Sequence, residues 1–181
     1  MSTETAIAPA TRGTGRAPGL VLGSAALTMG LLAGFFYAYA VSVMPGLGDA
    51  ADRTLVDAMQ QINEAVENPV FFLSFLGAPV LTLAALVVVR RSGSRRVIRW
   101  IVAALVLYGV AFLVTVAFNI PLNDELAEAG DPERIADLAN VRDDFYEPWV
   151  AANIARTVAS TAALVCLGYA LLLQGRAASS S

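Results

Sequence analysis

PVFFLSFLGAPVLTLAALVVVRRSGSRRVIRWIVAALVLYGVAFLVTVAF, residues 69–118, decides the fold. Two apolar runs stand either side of a short link that holds Arg90, Arg91, Arg95, Arg96 and Arg99. A bilayer core about 30 Å thick is crossed by roughly 20 mainly apolar helical residues, and each run meets that length. Working outward, a third such run covers about Gly19 to Val43 and a fourth about Trp149 to Leu173. The inner two become spans from about Pro69 to Val89 and about Val97 to Phe118. The expected fold is therefore all-α, a four-helix transmembrane bundle with short extra helices in its two outer loops. Residues 18–175 form the membrane domain, between a disordered tail at 1–17 and a second tail at 176–181.

Composition agrees. Of 181 residues, 57% are hydrophobic and 15% charged, with a mean hydropathy of +0.64. Soluble domains carry about 25% charged residues, so the deficit points to lipid as the solvent. Every one of the 12 basic residues is Arg, and there is no His. That removes the commonest metal ligand and the usual proton switch near neutral pH. Cys166 is the single cysteine, which excludes an intrachain disulfide and any multi-cysteine metal site. It sits in an apolar run and reads as a packing thiol. No metal site and no cofactor are expected.

The arginines orient the bundle. Arg12 and Arg16 precede the first span, five arginines crowd the middle link, and Arg176 follows the fourth span. The other two loops hold only Arg53, Arg134 and Arg142, outnumbered by acids. The positive-inside rule then puts both termini and the middle link in the cytoplasm of a multi-pass cell-membrane protein. A cleavable secretory signal competes for the first span, since Ala38-Tyr39-Ala40 resembles a cleavage site. The run from Leu20 to Phe36 exceeds the 7–15 residues usual for a signal core, which favours an uncleaved span.

The outer loops carry pattern of their own. Leu55, Met59, Ile62 and Val66 recur at helical spacing, with Asp52, Asp57 and Glu64 off the stripe, so a short amphipathic helix is expected, lying on the outer membrane surface or capping the bundle, as a connector packed on the mouth in preference to a mobile lid. Asp131-Pro132-Glu133 has the form of a helix start, with Ile135, Leu138 and Phe145 as the apolar face. Pro148 then suits the start of the fourth span. Acidic outer loops disfavour nucleic acid as a partner. In the first span Ala26, Gly30, Gly34 and Ala38 repeat every four residues, a small-residue stripe that permits close helix contact. Tyr37 and Tyr39 suit the outer interfacial belt, and Trp100 the inner one.

Some residues are ones lipid rejects. An ionisable residue inside a span costs roughly 2.5–3.5 kcal/mol on insertion and faces the bundle interior. Arg156 is one, about two turns into the fourth span. Asn153, Arg156, Thr157 and Ser160 follow i, i+3, i+4, i+7 spacing and share one face, with Trp149 a turn above. The third span ends in Thr115, Asn119, Pro121, Asn123 and Asp124. Pro121 lacks an N–H, so the backbone is expected to unwind around Phe118–Leu122. Both polar groups lie toward the outer leaflet, where Asn119, Asn123 and Asp124 can meet Asn153 and Arg156 in one pocket. The competing arrangement has Arg156 snorkelling outward to pair with Asp124, the asparagines serving as bridges between helices.

Tyr37-Ala-Tyr-Ala-Val-Ser-Val-Met-Pro-Gly-Leu47, Met59-Gln-Gln-Ile-Asn63, Phe118-Asn-Ile-Pro-Leu-Asn-Asp-Glu-Leu126, and Trp149 with Asn153, Arg156 and Thr157 resemble the anthrone oxygenase-like membrane family. The resemblance covers the chain outside its tails. It implies a cofactor-independent monooxygenase in which dioxygen converts an anthrone, or another phenolic or polyketide-like aromatic, to a quinone. The positions carried over are Asn63, Asn119, Asn123, Trp149, Asn153 and Arg156. Ala152 departs from the pattern, since the family often has a second Trp there, and an aromatic wall would be missing. Within this reading Asp124 takes a proton from the substrate, while Arg156 and the asparagines stabilise the developing oxyanion. Trp149, Asn63 and Tyr37 contact the substrate. The partners are then the bilayer, a small aromatic and dioxygen, with the oligomeric state open. A non-enzymatic membrane scaffold or accessory subunit is the rival class, and a carrier of small aromatics a third. No inverted repeat supports the carrier.

Overall fold

A computed structural model describes residues 16–91 and 95–179, all in helices and short connections. The tail expected at 1–17 lies, up to residue 15, outside the described residues, as does the end of the second tail at 180–181. The elements are α1 (Arg16–Ala38), a first π-helical turn (Tyr39–Val43), α2 (Met44–Gly48), α3 (Asp52–Val66), α4 (Pro69–Arg90), α5 (Arg95–Val114), a second π-helical turn (Thr115–Asn119), α6 (Ile120–Glu128) and α7 (Leu138–Ser179). Four stretches are long and apolar enough to cross a membrane: Ala17–Gly48, Pro69–Arg90, Arg95–Glu128 and Leu138–Ala177. They pack as a closed ring in the order α1, α4, α5, α7.

Two apolar cores stack along the bundle. The first lies among the spans, with Leu22, Met29, Phe36, Phe75, Ile101, Tyr108 and Leu167 near its centre. The second caps one end and gathers Met44, Leu55, Val56, Met59, Leu126, Phe145 and Trp149. The expected stripe on α3 thus turns inward and closes the bundle mouth. Charged contacts tie this cap together: Arg53 meets Glu133 at 2.8 Å, and Arg142 meets Asp52 at 2.6 Å. Arg142 also donates to the Gly48 and Ala50 carbonyls, left free where α2 ends. Gln60 does the same for α6, donating to Leu126 and Gly130 oxygens at 2.8 and 2.9 Å.

Several local expectations change. Pro121 does not unwind the third span. Instead the turn before it widens, and Ile120 N–H bonds to Thr115 O, five residues back, before α6 continues. Pro45 is treated identically, with Met44 N–H reaching Tyr39 O. In both places a π-turn absorbs the ring that would clash with an ordinary α-turn. Asp131-Pro132-Glu133 starts only a single turn, in which Asp131 accepts from Glu133 N–H. The helix starts at Leu138, where Asp137 accepts from Asn140 N–H. From there it runs 42 residues, straight through Pro148. The proline is tolerated because it and Asp144, whose carbonyl it leaves unbonded, are exposed. Gly30 and Gly34 do not bring two backbones together. A methyl group on Gly30 would meet Leu164 at 3.8 Å, an ordinary contact, and one on Gly34 would meet nothing.

Pro79 lies inside α4 and cannot donate to the carbonyl of Phe75, four residues back. Tyr108 of α5 does so instead, its hydroxyl 2.5 Å from Phe75 O in the buried core. An unsatisfied carbonyl in hydrocarbon is expensive, so this bond joins α4 to α5 at the point where α4 is weakest. Tyr108→Phe is expected to lower stability by about 1–3 kcal/mol, read from unfolding in mixed detergent micelles. Gly34→Ala should leave stability unchanged or raise it by about 0.5–1 kcal/mol in the same assay.

Candidate functional site

At the seam between the two cores a cavity of about 130 Å³ opens among α1, α3, α4, α7 and the second π-turn. Its walls are mainly aromatic: Phe35, Phe36, Tyr39, Phe71, Phe75 and Trp149. Its polar groups are Asn63, Glu67, Thr115, Asn119, Asn123 and Arg156. Helical spacing explains much of this. Phe71 and Phe75 are one turn apart on α4, and Asn119 and Asn123 one turn apart where the third span continues into α6.

Arg156 dominates the electrostatics. It is 6% exposed and points into the bundle, away from lipid and from Asp124. Its guanidinium sits 4.4 Å from the Phe36 ring centre and 5.3 Å from that of Trp149. One nitrogen donates to Asn153 Oδ1 at 2.9 Å. Among the described residues no carboxylate lies within ion-pair distance of it. The ring faces supply part of the missing counter-charge, about 2 kcal/mol or more when desolvated.

The sequence-derived residues divide into three groups. Asn153 and Asn123 are committed to the scaffold. Asn153 is 1% exposed and donates to Phe36 O at 3.0 Å, joining α7 to α1 and holding Arg156 by its other end. Asn123 accepts from Trp149 Nε1 at 2.8 Å, which fixes the indole against the cavity. Asn63, Asn119 and Arg156 keep free capacity: Asn63 Nδ2, Asn119 Oδ1 and Arg156 Nε are buried with no partner in the protein. Asn119 spends only its amide nitrogen, on a long 3.5 Å contact to Trp149 O.

Asp124 and Tyr37 fall outside. Asp124 is one residue, hence about 100° of helix, past Asn123. Its exposed carboxylate lines an adjoining surface groove with Gln60, Gln61 and Glu64. The carboxylate that lines the cavity is Glu67, just past the end of α3. Tyr37 is 57% exposed, and Tyr39 stands in its place, its ring 5.7 Å from that of Trp149. Ala152 is buried and does not line the cavity, whose aromatic walls come from α1, the first π-turn, α4 and Trp149. Glu67 and the α1 and α4 phenylalanines were missed by sequence reasoning. The i, i+4 pairs Phe35/Tyr39 and Phe71/Phe75 were the available signal.

The model of the family described as Anthrone oxygenase matches residues 71–166, from α4 through most of α7. The match takes in Asn119, Asn123, Trp149, Asn153 and Arg156 and leaves out Asn63, Glu67 and Tyr39. No curated protein and no solved structure matches the chain.

A buried cation without a carboxylate is costly to the fold, and an apolar residue of similar length removes that cost. Arg156→Met is therefore expected to keep or raise the thermal midpoint of the purified protein. A loss on the scale of a broken buried ion pair, about 3–5 kcal/mol, would mark Arg156 as a structural strut.

Proposed function

The chain belongs to the anthrone oxygenase family, and from that premise we propose that its cavity oxidises a flat, electron-rich phenolic aromatic with dioxygen. One observation carries this reading. Asn63, Asn119 and Arg156, each with a buried polar atom that has no partner in the protein, all line one aromatic-walled cavity. Aromatic walls favour a planar ring, and a guanidinium without a counter-ion favours an oxyanion beside it. A scaffold would gain by pairing those groups with each other.

The chemistry balances without an added reductant. A carboxylate takes one proton from the methylene carbon of the anthrone, and the electron pair left behind delocalises onto the ring oxygen. Glu67 is the lining residue suited to that role, in place of Asp124. The anion passes one electron to dioxygen, and the radical pair combines to form a carbon–oxygen bond. The peroxide takes up a proton. Loss of water then breaks the O–O bond and the second C–H bond, leaving the ketone of a quinone. One oxygen atom ends in the product and one in water. Arg156 stabilises first the ring oxyanion and then the peroxide, with Asn63 and Asn119 as further polar contacts. Trp149, held by Asn123, supports the ring face.

The proposal includes orientation. Arginines at the termini and at the α4–α5 link set that end of the bundle in the cytoplasm, so cap and cavity stand at the outer face of the cell membrane. The test is quinone formation and dioxygen uptake by protein in lipid vesicles with added anthrone. Arg156→Met is expected to lower the rate about 10²–10³-fold, the effect of removing an oxyanion donor, and Arg156→Lys less. An unchanged rate in Arg156→Met at equal protein level would overturn the assignment.

A further inference from the structure

The cavity has two continuations of opposite character. One is a groove of about 480 Å³ along the flank between α1 and α4, lined by Leu31, Ala65, Val70 and Ser74. It shares Phe35, Tyr39, Ile62, Val66 and Phe71 with the cavity itself. Leu31 and Val70 are 58% and 75% exposed, on the outward side of two helices long and apolar enough to cross a membrane. The other is the polar groove bearing Gln61, Glu64, Asp124 and Asp131, which shares Asn63, Glu67 and Asn123 with the cavity.

Size decides how the first continuation is used. A buried apolar cavity of about 150 Å³ holds one benzene ring. The 130 Å³ cavity is smaller still, so a fused three-ring molecule with one ring beside Arg156 must extend beyond it. The apolar groove has the room and the walls. The Phe35 and Phe71 rings, with centres 5.5 Å apart and planes tilted by 53°, stand where groove and cavity join. The acidic groove suits water and protons and repels an aromatic anion.

Resting on the function proposed above, we infer that the substrate enters sideways from the bilayer, between α1 and α4 past Phe35 and Phe71, while protons and water exchange through the acidic groove. The occupant is a fused aromatic dissolved in lipid, never one captured from water.

A binding measurement tests this without turnover. In a Trp100→Phe background Trp149 is the sole indole, at the cavity wall. Anthraquinone, a flat electron acceptor, is mixed into lipid vesicles carrying the protein, and quenching of Trp149 is followed by stopped flow. The quenching rate is expected to follow the mole fraction of anthraquinone in lipid and to ignore dilution of the aqueous phase. Ser74→Phe and Ala65→Phe, which fill the groove outside the cavity, should each slow it about tenfold, a change in access rate within the range mutants of one interface show. Ala127→Phe, in the acidic groove, should not. Slowing by Ala127→Phe alone, a rate that follows aqueous concentration, or no quenching at all would overturn the inference. So would quenching by brominated acyl chains that anthraquinone fails to relieve, since the groove would then hold a lipid tail. Normal quenching without quinone formation would sink the oxygenase reading alone, and quinone formation indifferent to the groove variants would sink only the entry route.

Discussion

In hydrocarbon a backbone carbonyl has no water to fall back on, and proline inside a span strands one. Pro45, Pro79 and Pro121 each raise this problem, and the replies to them shape the molecule. At Pro79 the reply is a neighbour's hydroxyl, Tyr108 to Phe75 O, which draws α4 and α5 together. At Pro45 and Pro121 it is a widened turn. Each π-turn advances the chain through a smaller angle per residue than an α-turn would, and each brings a side chain to the cavity: Tyr39 from the first, Thr115 and Asn119 from the second.

Arg156 is the second element of that arrangement. The cost of placing it in the bundle is offset in part by the faces of Phe36 and Trp149 and by Asn153 Oδ1. Each of these supports is itself held. Asn153 is anchored on α1 through Phe36 O, and Trp149 on α6 through Asn123. The guanidinium therefore rests on three helices and is aimed before any ligand arrives, which is what preorganised stabilisation of charge requires.

The spans were legible because their signal is long: some 20 apolar residues in a row leave little choice in lipid. Asn153 and Arg156 were legible for a related reason, since a polar face on an unbroken α-helix keeps its register. Legibility failed where register changed. Tyr37 and Tyr39 both looked interfacial, yet they stand about 200° apart on the helix, and Tyr39 shares the face of Phe35 that borders the cavity. Asp124 follows Asn123 directly in sequence yet faces a different groove, because adjacent helical residues diverge by about 100°. Asp131 and Asp137 are both sound helix caps, and α6 ending at Glu128, with the chain turning at Gly130 through a φ of 81°, leaves room for only one turn before the second. Glu67 gave no local signal, since its position depends on how α3 folds back over the mouth.

At about 1.5 Å per residue the 42-residue α7 is roughly 63 Å long, twice the thickness of the hydrocarbon layer. One continuous helix thus carries Arg142 in the cap, Trp149 and Arg156 at the seam, and Arg176 about 30 Å beyond Arg156 toward the opposite end. α4 has only 22 residues and fits the layer without excess. A thicker or thinner bilayer is met by tilting α7 against α1 and α5, the spans it packs on, and the cavity lies along the α1 side of that contact. Lipid chain length becomes a mechanical input to the shape of the site.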